Sequence, residues 1–273
     1  ILCILYTLNT RDMHFENIIA EGENPVLIDL ETLFHPDLFD INRTETFAST
    51  EVLRILNNSV RVIGLLSTQI VNFKSGKVFE IGGLCAEDEK EAPFHSFFVN
   101  NYNTDEIKIE YDYAIIKSKS NNPIMKGKRK KSSEYVSEII NGFANTYKWI
   151  LKNKNEYIKK VREIFQNCKC RVIFKPTSIY AQLLATSYHP DLLRNSIDRK
   201  VFLHRIGLVP YEEEKRIVLS EIEDMLNGDV PYFTTFLNCN SIINSKGEKI
   251  EPCYKQTPLN YVIKKIESMN EKD

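Results

Sequence analysis

The chain has 273 residues, 42% of them hydrophobic and 27% charged, with a formal net charge of -1. That length buries a sizeable core, as one large domain or two small ones, and the composition excludes a disordered chain; the near-zero charge supplies no global attraction to nucleic acid or to an anionic membrane. Six cysteines, Cys3, Cys85, Cys168, Cys170, Cys239 and Cys253, have no zinc-site or disulfide-framework spacing and are expected to be free thiols in a reducing cytoplasm.

The opening Ile1, Leu2, Cys3, Ile4, Leu5 and Tyr6 form too short an apolar run for a membrane span and lack a basic region before them. A buried helix leading into the next loop accounts for them, and the chain reads as a fragment that starts in mid-pattern. There follow Asp12-Met13-His14-Phe15-Glu16-Asn17, Ile18 and Ile19, the turn-like Glu21-Gly22-Glu23-Asn24, and Val26-Leu27-Ile28 before Asp29 and Glu31. Apolar pairs flanking a polar turn predict a β-hairpin. Asp29 and Glu31 are expected at the far end of its second strand, on one face because they are two residues apart. Singly, Asp12, Asn17 and Asp29 are ordinary turn or cap residues. As an ordered set they match what phosphoryl transfer requires. One Asp orients the attacking hydroxyl, while an Asn and a second Asp hold magnesium on nucleotide phosphates. Asn17, Asp29 and Glu31 carry the hard oxygens that magnesium favours.

Asp12-Met13-His14-Phe15-Glu16-Asn17-Ile18-Ile19-Ala20 and Pro25-Val26-Leu27-Ile28-Asp29-Leu30-Glu31-Thr32-Leu33-Phe34 together resemble the dehydratase domain of class II lanthipeptide synthetases. That family has a lipid-kinase-like fold and carries Asp-Leu-Glu where protein kinases carry Asp-Phe-Gly. The resemblance implies ATP-dependent phosphorylation of Ser and Thr in a leader-containing precursor peptide. Elimination of the phosphate to dehydroalanine or dehydrobutyrine then follows. It further implies that Asp12 orients or deprotonates the substrate hydroxyl, that His14 supports the transfer, and that Asn17, Asp29 and Glu31 hold Mg2+ and ATP.

His35, beside Pro36, is more often structural than catalytic in such a loop. Residues 51–72, with Leu53, Leu56, Val60 and Ile63, read as a helix followed by an ambiguous segment. Residues 77–84 read as a strand and a glycine turn, and Gly82-Gly83 lack the further glycines and the Lys of a phosphate-binding loop. Residues 85–133 are polar and turn-rich. Within them Asn103-Thr104-Asp105 is similar to a motif of the same family, with no role attached. The basic run 126–131 is a solvated loop in the commoner reading, a holder of an acidic leader peptide or nucleic acid in the rarer one, and the best candidate for a hinge. Residues 133–167 carry a long amphipathic pattern, with Ser132 or Ser133 as the expected N-cap.

Residues 171–180 predict a strand broken by Pro176, with Thr177 capping a helix that carries Tyr180. By the resemblance, Arg171 and Thr177 eliminate the phosphate, and Lys175 stands where the family commonly has Arg. An Arg fork and a helix N-terminus with a hydroxyl suit a departing phosphate. Asp191 is expected to cap a helix, and Leu192, Leu193, Ile197, Val201 and Phe202 to face a core. His189 and His204 show no metal-ligand spacing. Residues 219–226 predict a helix closed by Asn227-Gly228-Asp229; the Pro231-Tyr232-Phe233 segment after it again looks like the family. Residues 238–258 read as turns and 258–269 as a final amphipathic helix.

The expected fold is α+β, mostly helical with small β-hairpins, resembling the C-lobe portion of a lipid-kinase-like fold. Residues 1–237 form its kinase-like part, with an internal hinge at 117–133, and 238–273 form a C-terminal extension. The expected partners are the precursor peptide and the N-lobe and zinc cyclase domain of the same synthetase. No nucleic acid and no integral membrane segment are expected. The expected location is cytoplasmic, with peripheral attachment to a membrane transporter complex. These residues hold no Gly-rich loop, no phosphate-pairing Lys of an N-lobe and no zinc-binding Cys-Cys-His set, so weak ATP binding by this chain alone is expected. The rival readings are a lipid or peptide kinase that stops at phosphorylation, and an inactive truncated remnant that binds peptide.

Overall fold

The computed structural model describes residues 1–36, 51–52, 55–71, 76, 78–80, 82–84, 90–116, 123–208, 215–250 and 254–271. Leu53, Lys77, Cys85, Cys253 and residues 117–122 of the expected hinge lie outside them. The fold combines α-helices with small antiparallel sheets, as expected. By contact density the chain divides into two compact units, each built from separated stretches of sequence. The first holds Ile1–Tyr6, Arg11–Leu30 and Leu56–Tyr147; the second holds Thr7–Thr10, Glu31–Ile55 and Lys148–Asp273.

The apolar opening forms α1 (Leu2–Thr7), with Cys3 and Leu5 buried. The expected hairpin is present as β1 (Ile18–Glu21) and β2 (Asn24–Leu27), antiparallel, with Glu21 opposite Asn24. Gly22 takes φ +58° in the two-residue connection, a backbone region where glycine meets no Cβ penalty. The second strand is shorter than expected. It ends at Leu27, Asp29 turns to φ +58°, and Leu30–Thr32 form a 3-10 turn, so the strand alternation that would put Asp29 and Glu31 on one face is lost.

Within the same unit, Ser59 and Gly64 cap the 3-10 turn Val60–Ile63. Three antiparallel hairpins follow: β3 (Gln69–Val71) with β4 (Val78–Glu80), β5 (Lys90–Asn100) with β6 (Lys108–Ile116), and β7 (Ile124–Met125) with β8 (Lys128–Arg129). The polar, turn-rich reading of 85–133 is therefore corrected. Ile109, Tyr111 and Tyr113 alternate with Glu110 and Asp112 at a strand period, and Asn103-Thr104-Asp105 lie in the turn between β5 and β6. The basic run is ordered too: Lys126 and Gly127, at φ +51° and +73°, make the turn between β7 and β8, as primed hairpin turns require. Glu134 accepts the Lys131 N–H at 3.1 Å and pairs with Lys130 at 2.9 Å. Lys131, not a serine, thus precedes the helical stretch that continues as α2 (Val136–Lys152).

The amphipathic pattern of 133–167 is interrupted at Asn153, beyond which α3 (Lys154–Phe165) begins. The second unit has a four-stranded antiparallel sheet in the order β12-β11-β10-β9. Its strands are β9 (Lys169–Arg171), β10 (Thr234–Phe236), β11 (Ile242–Ile243) and β12 (Lys249–Ile250), so 238–258 is more than turns. One buried cluster joins Val172, Ile217, Phe233, Ile242 and Tyr254. A second, with Tyr180, Leu184, Leu203, Ile206, Ile222 and Met225, lies among α4 (Thr177–Ser187), α5 (Ser196–Leu203) and α6 (Val218–Leu226).

Asn195, not Asp191, caps α5, its Oδ1 accepting the Ile197 and Asp198 N–H groups; Asp191 sits in the short turn Pro190–Leu192. Leu193, Ile197 and Val201 are exposed, contrary to their expected core role, because α5 buries Leu203 instead. Helix α6 closes with Gly228 at φ +89° and with Asp229 N–H donating to Asp224 O at 3.0 Å, the expected glycine stop. The final helix, α7 (Pro258–Ser268), is capped by Thr257 and buries Leu259, Val262, Ile263 and Ile266 at helical spacing.

Candidate functional site

In the first unit the loop 11–17 is built on a glycine support. Met13 is wholly buried and its N–H donates to Ile63 O at 2.7 Å, while His14 bridges to Gly82. Gly83 N–H donates to Gly64 O at 2.8 Å. A Cβ on Gly83 would lie 2.4 Å from Met13 O, and one on Gly82 would lie 2.3 Å from Leu66 O. No side chain fits there. Gly82 and Gly83, set aside in the sequence as no phosphate loop, are where two backbones meet beneath the Asp12–His14 turn.

Asp12 takes φ +63°, a region that Asp tolerates better than most residues, and its side chain is half exposed. The Glu16 N–H donates to His14 Nδ1 at 3.2 Å. An accepting Nδ1 puts the proton of the neutral ring on Nε2, which lies 3.7 Å from Asp12 Oδ1. Asn17 is buried; its Nδ2 donates to Asp12 O at 2.8 Å, which fixes the amide and leaves Oδ1 as an acceptor. The Ile28 N–H donates to Asn17 O at 3.0 Å. The hairpin therefore returns the chain to Asn17 just before Asp29, which is exposed. Asp12, His14, Asn17 and Asp29 are brought to one end of the hairpin.

The second unit holds the other cluster. Arg171, on β9, donates through Nη1 to Glu31 Oε1, and its guanidinium lies 5.2 Å from the Tyr232 ring centroid. Glu31, expected among the magnesium ligands, is thus engaged with Arg171. Thr177 is exposed and is the first residue of α4 rather than its cap, since Pro176 holds the cap position without a side-chain bond. Between Arg171 and Thr177 the chain is pinned twice. The Ile173 N–H donates to His35 Nε2 at 3.2 Å, which gives His35 a structural role. Lys175, nearly buried, donates to Glu221 Oε1 at 2.8 Å, and Tyr180 OH donates to the same oxygen at 2.6 Å. Lys175 is thereby engaged inside the protein with Glu221. Glu221 and Tyr232 escaped the sequence reading: Glu221 looks like one of several helix glutamates, and Tyr232 has no signal except its place in Pro231-Tyr232-Phe233.

Among the described residues no group of three or more His, Cys, Asp or Glu could hold a metal ion. Magnesium does not need one: it takes one or two protein oxygens and fills its octahedron with water and phosphate. The fixed Asn17 Oδ1 and the exposed Asp29 carboxylate fit that demand. No helix among the described residues is long and apolar enough to cross a membrane. The described cysteines Cys3, Cys168, Cys170 and Cys239 are free thiols.

Residues 1–236 match a family described as "Domain of unknown function (DUF4135)". The chain is also 29% identical over 260 residues to the lacticin 481/lactococcin biosynthesis protein LcnDR2 of Lactococcus lactis subsp. lactis. The match covers 92% of this chain and 27% of that protein, so the chain spans about a quarter of its relative's length.

Proposed function

The chain belongs to the DUF4135 family, and from that membership and the two clusters above we propose that it is the dehydratase portion of a lanthipeptide synthetase, phosphorylating Ser and Thr of a precursor peptide and then eliminating the phosphate. The observation that carries this reading is the Asn17 clamp on the Asp12 carbonyl at 2.8 Å. It sets a carboxylate for the hydroxyl and an amide oxygen for magnesium at one end of a hairpin that ends in Asp29. The lacticin 481 biosynthesis relative supports the substrate class.

In this reading Asp12 accepts or orients the proton of the substrate hydroxyl, and the Nε2–H of His14 faces the Asp12 carboxylate. Asn17 and Asp29 would hold the magnesium of Mg-ATP, which when bound would supply the phosphoryl group and part of the charge compensation. In the elimination the Cα proton passes to solvent water, its electron pair forms the Cα=Cβ bond, and the Cβ–O bond breaks with its pair leaving on the phosphate. Arg171, with the Thr177 hydroxyl and the first N–H groups of α4, meets the departing phosphate.

Mass spectrometry of a lantibiotic precursor peptide, that of lacticin 481 first, incubated with Mg-ATP and the polypeptide that carries this chain, tests the reading. Successive losses of water are expected. Asp12→Asn should leave the peptide unmodified, and Arg171→Met should accumulate phosphopeptide. An unmodified peptide from the unsubstituted protein would overturn the proposal, and a stable phosphopeptide from it would leave a kinase that stops at phosphorylation.

A further inference from the structure

We propose that Tyr232 is a positioning residue for phosphate elimination, its ring forming the platform that holds the Arg171 guanidinium flat with an N–H edge open to the phosphate. The inference rests on the elimination role of Arg171 given above.

The chain from Pro231 to Leu237 alternates strictly: Pro231, Phe233, Thr235 and Leu237 are buried, while Tyr232 and Phe236 are exposed and Thr234 is half-buried. Phe233 and Val172 share one core cluster, and the Val172 N–H donates to Phe233 O at 2.9 Å. With Thr234 opposite Arg171, the alternation puts Tyr232 at the diagonal cross-strand position on the outer face, where a large ring reaches its neighbour. The guanidinium carbon lies 5.2 Å from the Tyr232 ring centroid while Nη1 donates to Glu31. An Arg side chain has several rotatable bonds and loses geometry quickly when unsupported. Glu31 engages one edge of the fork and Tyr232 one face, which leaves further in-plane donors for an anion. Lys169 makes a similar contact one step along the strands, 4.6 Å over the Phe236 ring, but it is not part of the elimination pair. It is therefore an internal control.

The test follows loss of the elements of phosphoric acid from a synthetic phosphoserine peptide of lacticin 481 precursor sequence, with the full polypeptide. Tyr232→Leu and Tyr232→Gln should slow elimination between roughly tenfold and a hundredfold, the range a slightly misplaced catalytic group produces, and leave phosphorylation of the unmodified peptide unchanged. Tyr232→Phe, which keeps the ring, should restore elimination, and Phe236→Leu should not affect it. Thermal melting of each variant separates misplacement from unfolding, and the exposure of Tyr232 favours two substitutions that fold. Normal elimination by both Leu and Gln variants, or a Phe variant as slow as they are, would overturn the platform. Normal elimination by Arg171→Met in the same assay would instead overturn the role of Arg171 on which the inference rests.

Discussion

Lys175 and Glu221 put a full ion pair where water is excluded: side-chain exposures are 9% and 0%, and Tyr180 OH shares the accepting oxygen. Removing one partner leaves a buried charge uncompensated, a loss of about 3–5 kcal/mol. Chemical denaturation should therefore show Lys175→Met destabilised by that order, with Lys175→Arg closer to the parent because it keeps the charge. If Lys175→Met unfolds at the parent midpoint, the pair is not holding the segment between Arg171 and Thr177. A second prediction at this scale concerns thiols. Burial pushes Cys3 up to about 11 and Cys170 up to about 12, so the folded state keeps protons that the unfolded chain releases from about pH 9. Fewer protons bound when unfolded means that stability falls as pH rises, by about 1.4 kcal/mol per pH unit for each group. The contribution is complete below pH 9 and lost between there and pH 12. Cys170→Ala should flatten this alkaline decline in urea titrations at successive pH values, and an unaltered decline would dismiss the linkage. Asp12, His14, Asn17 and Asp29 could be picked out as a set because they fall in one ordered string, and the structure brings them to one end of the hairpin. The bond between Glu31 and Arg171 could not be read from the sequence, because the two are 140 residues apart and nothing local reports such a pairing.

Glycines at 82 and 83 decide how the loop before β1 is seated. A Cβ on Gly83 meets the Met13 carbonyl at 2.4 Å, backbone that cannot rotate away, so Gly83→Ala must displace the segment that carries Asp12 and His14. Phosphorylation should drop by at least about a hundredfold, as misplaced catalytic groups do, together with a lower melting temperature. Gly142 is the counter-case: it lies exposed within α2, with nothing within 4 Å of an added Cβ. There Ala should raise stability by about 0.5–1 kcal/mol, since glycine is the poorer helix former. Equal effects at the two positions in parallel melting and peptide assays would sink the support argument. Elements with strong periodicity or plain punctuation were readable, among them the β1–β2 hairpin, α6 with its glycine stop, and α7. The β5–β6 hairpin was hidden because its alternation of Ile109, Tyr111 and Tyr113 sits among charges and exposed tyrosines. The C-terminal strands β11 and β12 are two residues each, too short to show a period.

At the scale of the molecule the two clusters belong to different compact units: Asp12, Asn17 and Asp29 to the first, Arg171, Thr177 and Glu31 to the second. The length allowed one large domain or two small ones but did not disclose this partition, because each unit is assembled from stretches far apart in the chain, and composition shifts report only contiguous domains. The consequence is chemical. If phosphorylation depends on residues of one unit and elimination on residues of the other, substitutions should disable one step and spare the other. The phosphopeptide is also a complete molecule that can leave and rebind. An Arg171→Met variant should convert precursor to phosphopeptide and stop; an Asp12→Asn variant should leave precursor untouched but eliminate phosphate from phosphopeptide supplied to it. Mixing the two, each inactive in dehydration by itself, should restore the loss of water, with a lag while phosphopeptide accumulates. Mass spectra over time distinguish the outcomes. Dehydrated peptide after a lag means that the steps draw on separable groups. Phosphopeptide that persists in the mixture would mean that Asp12 is needed for elimination as well, and the assignment of one step to each cluster would fall.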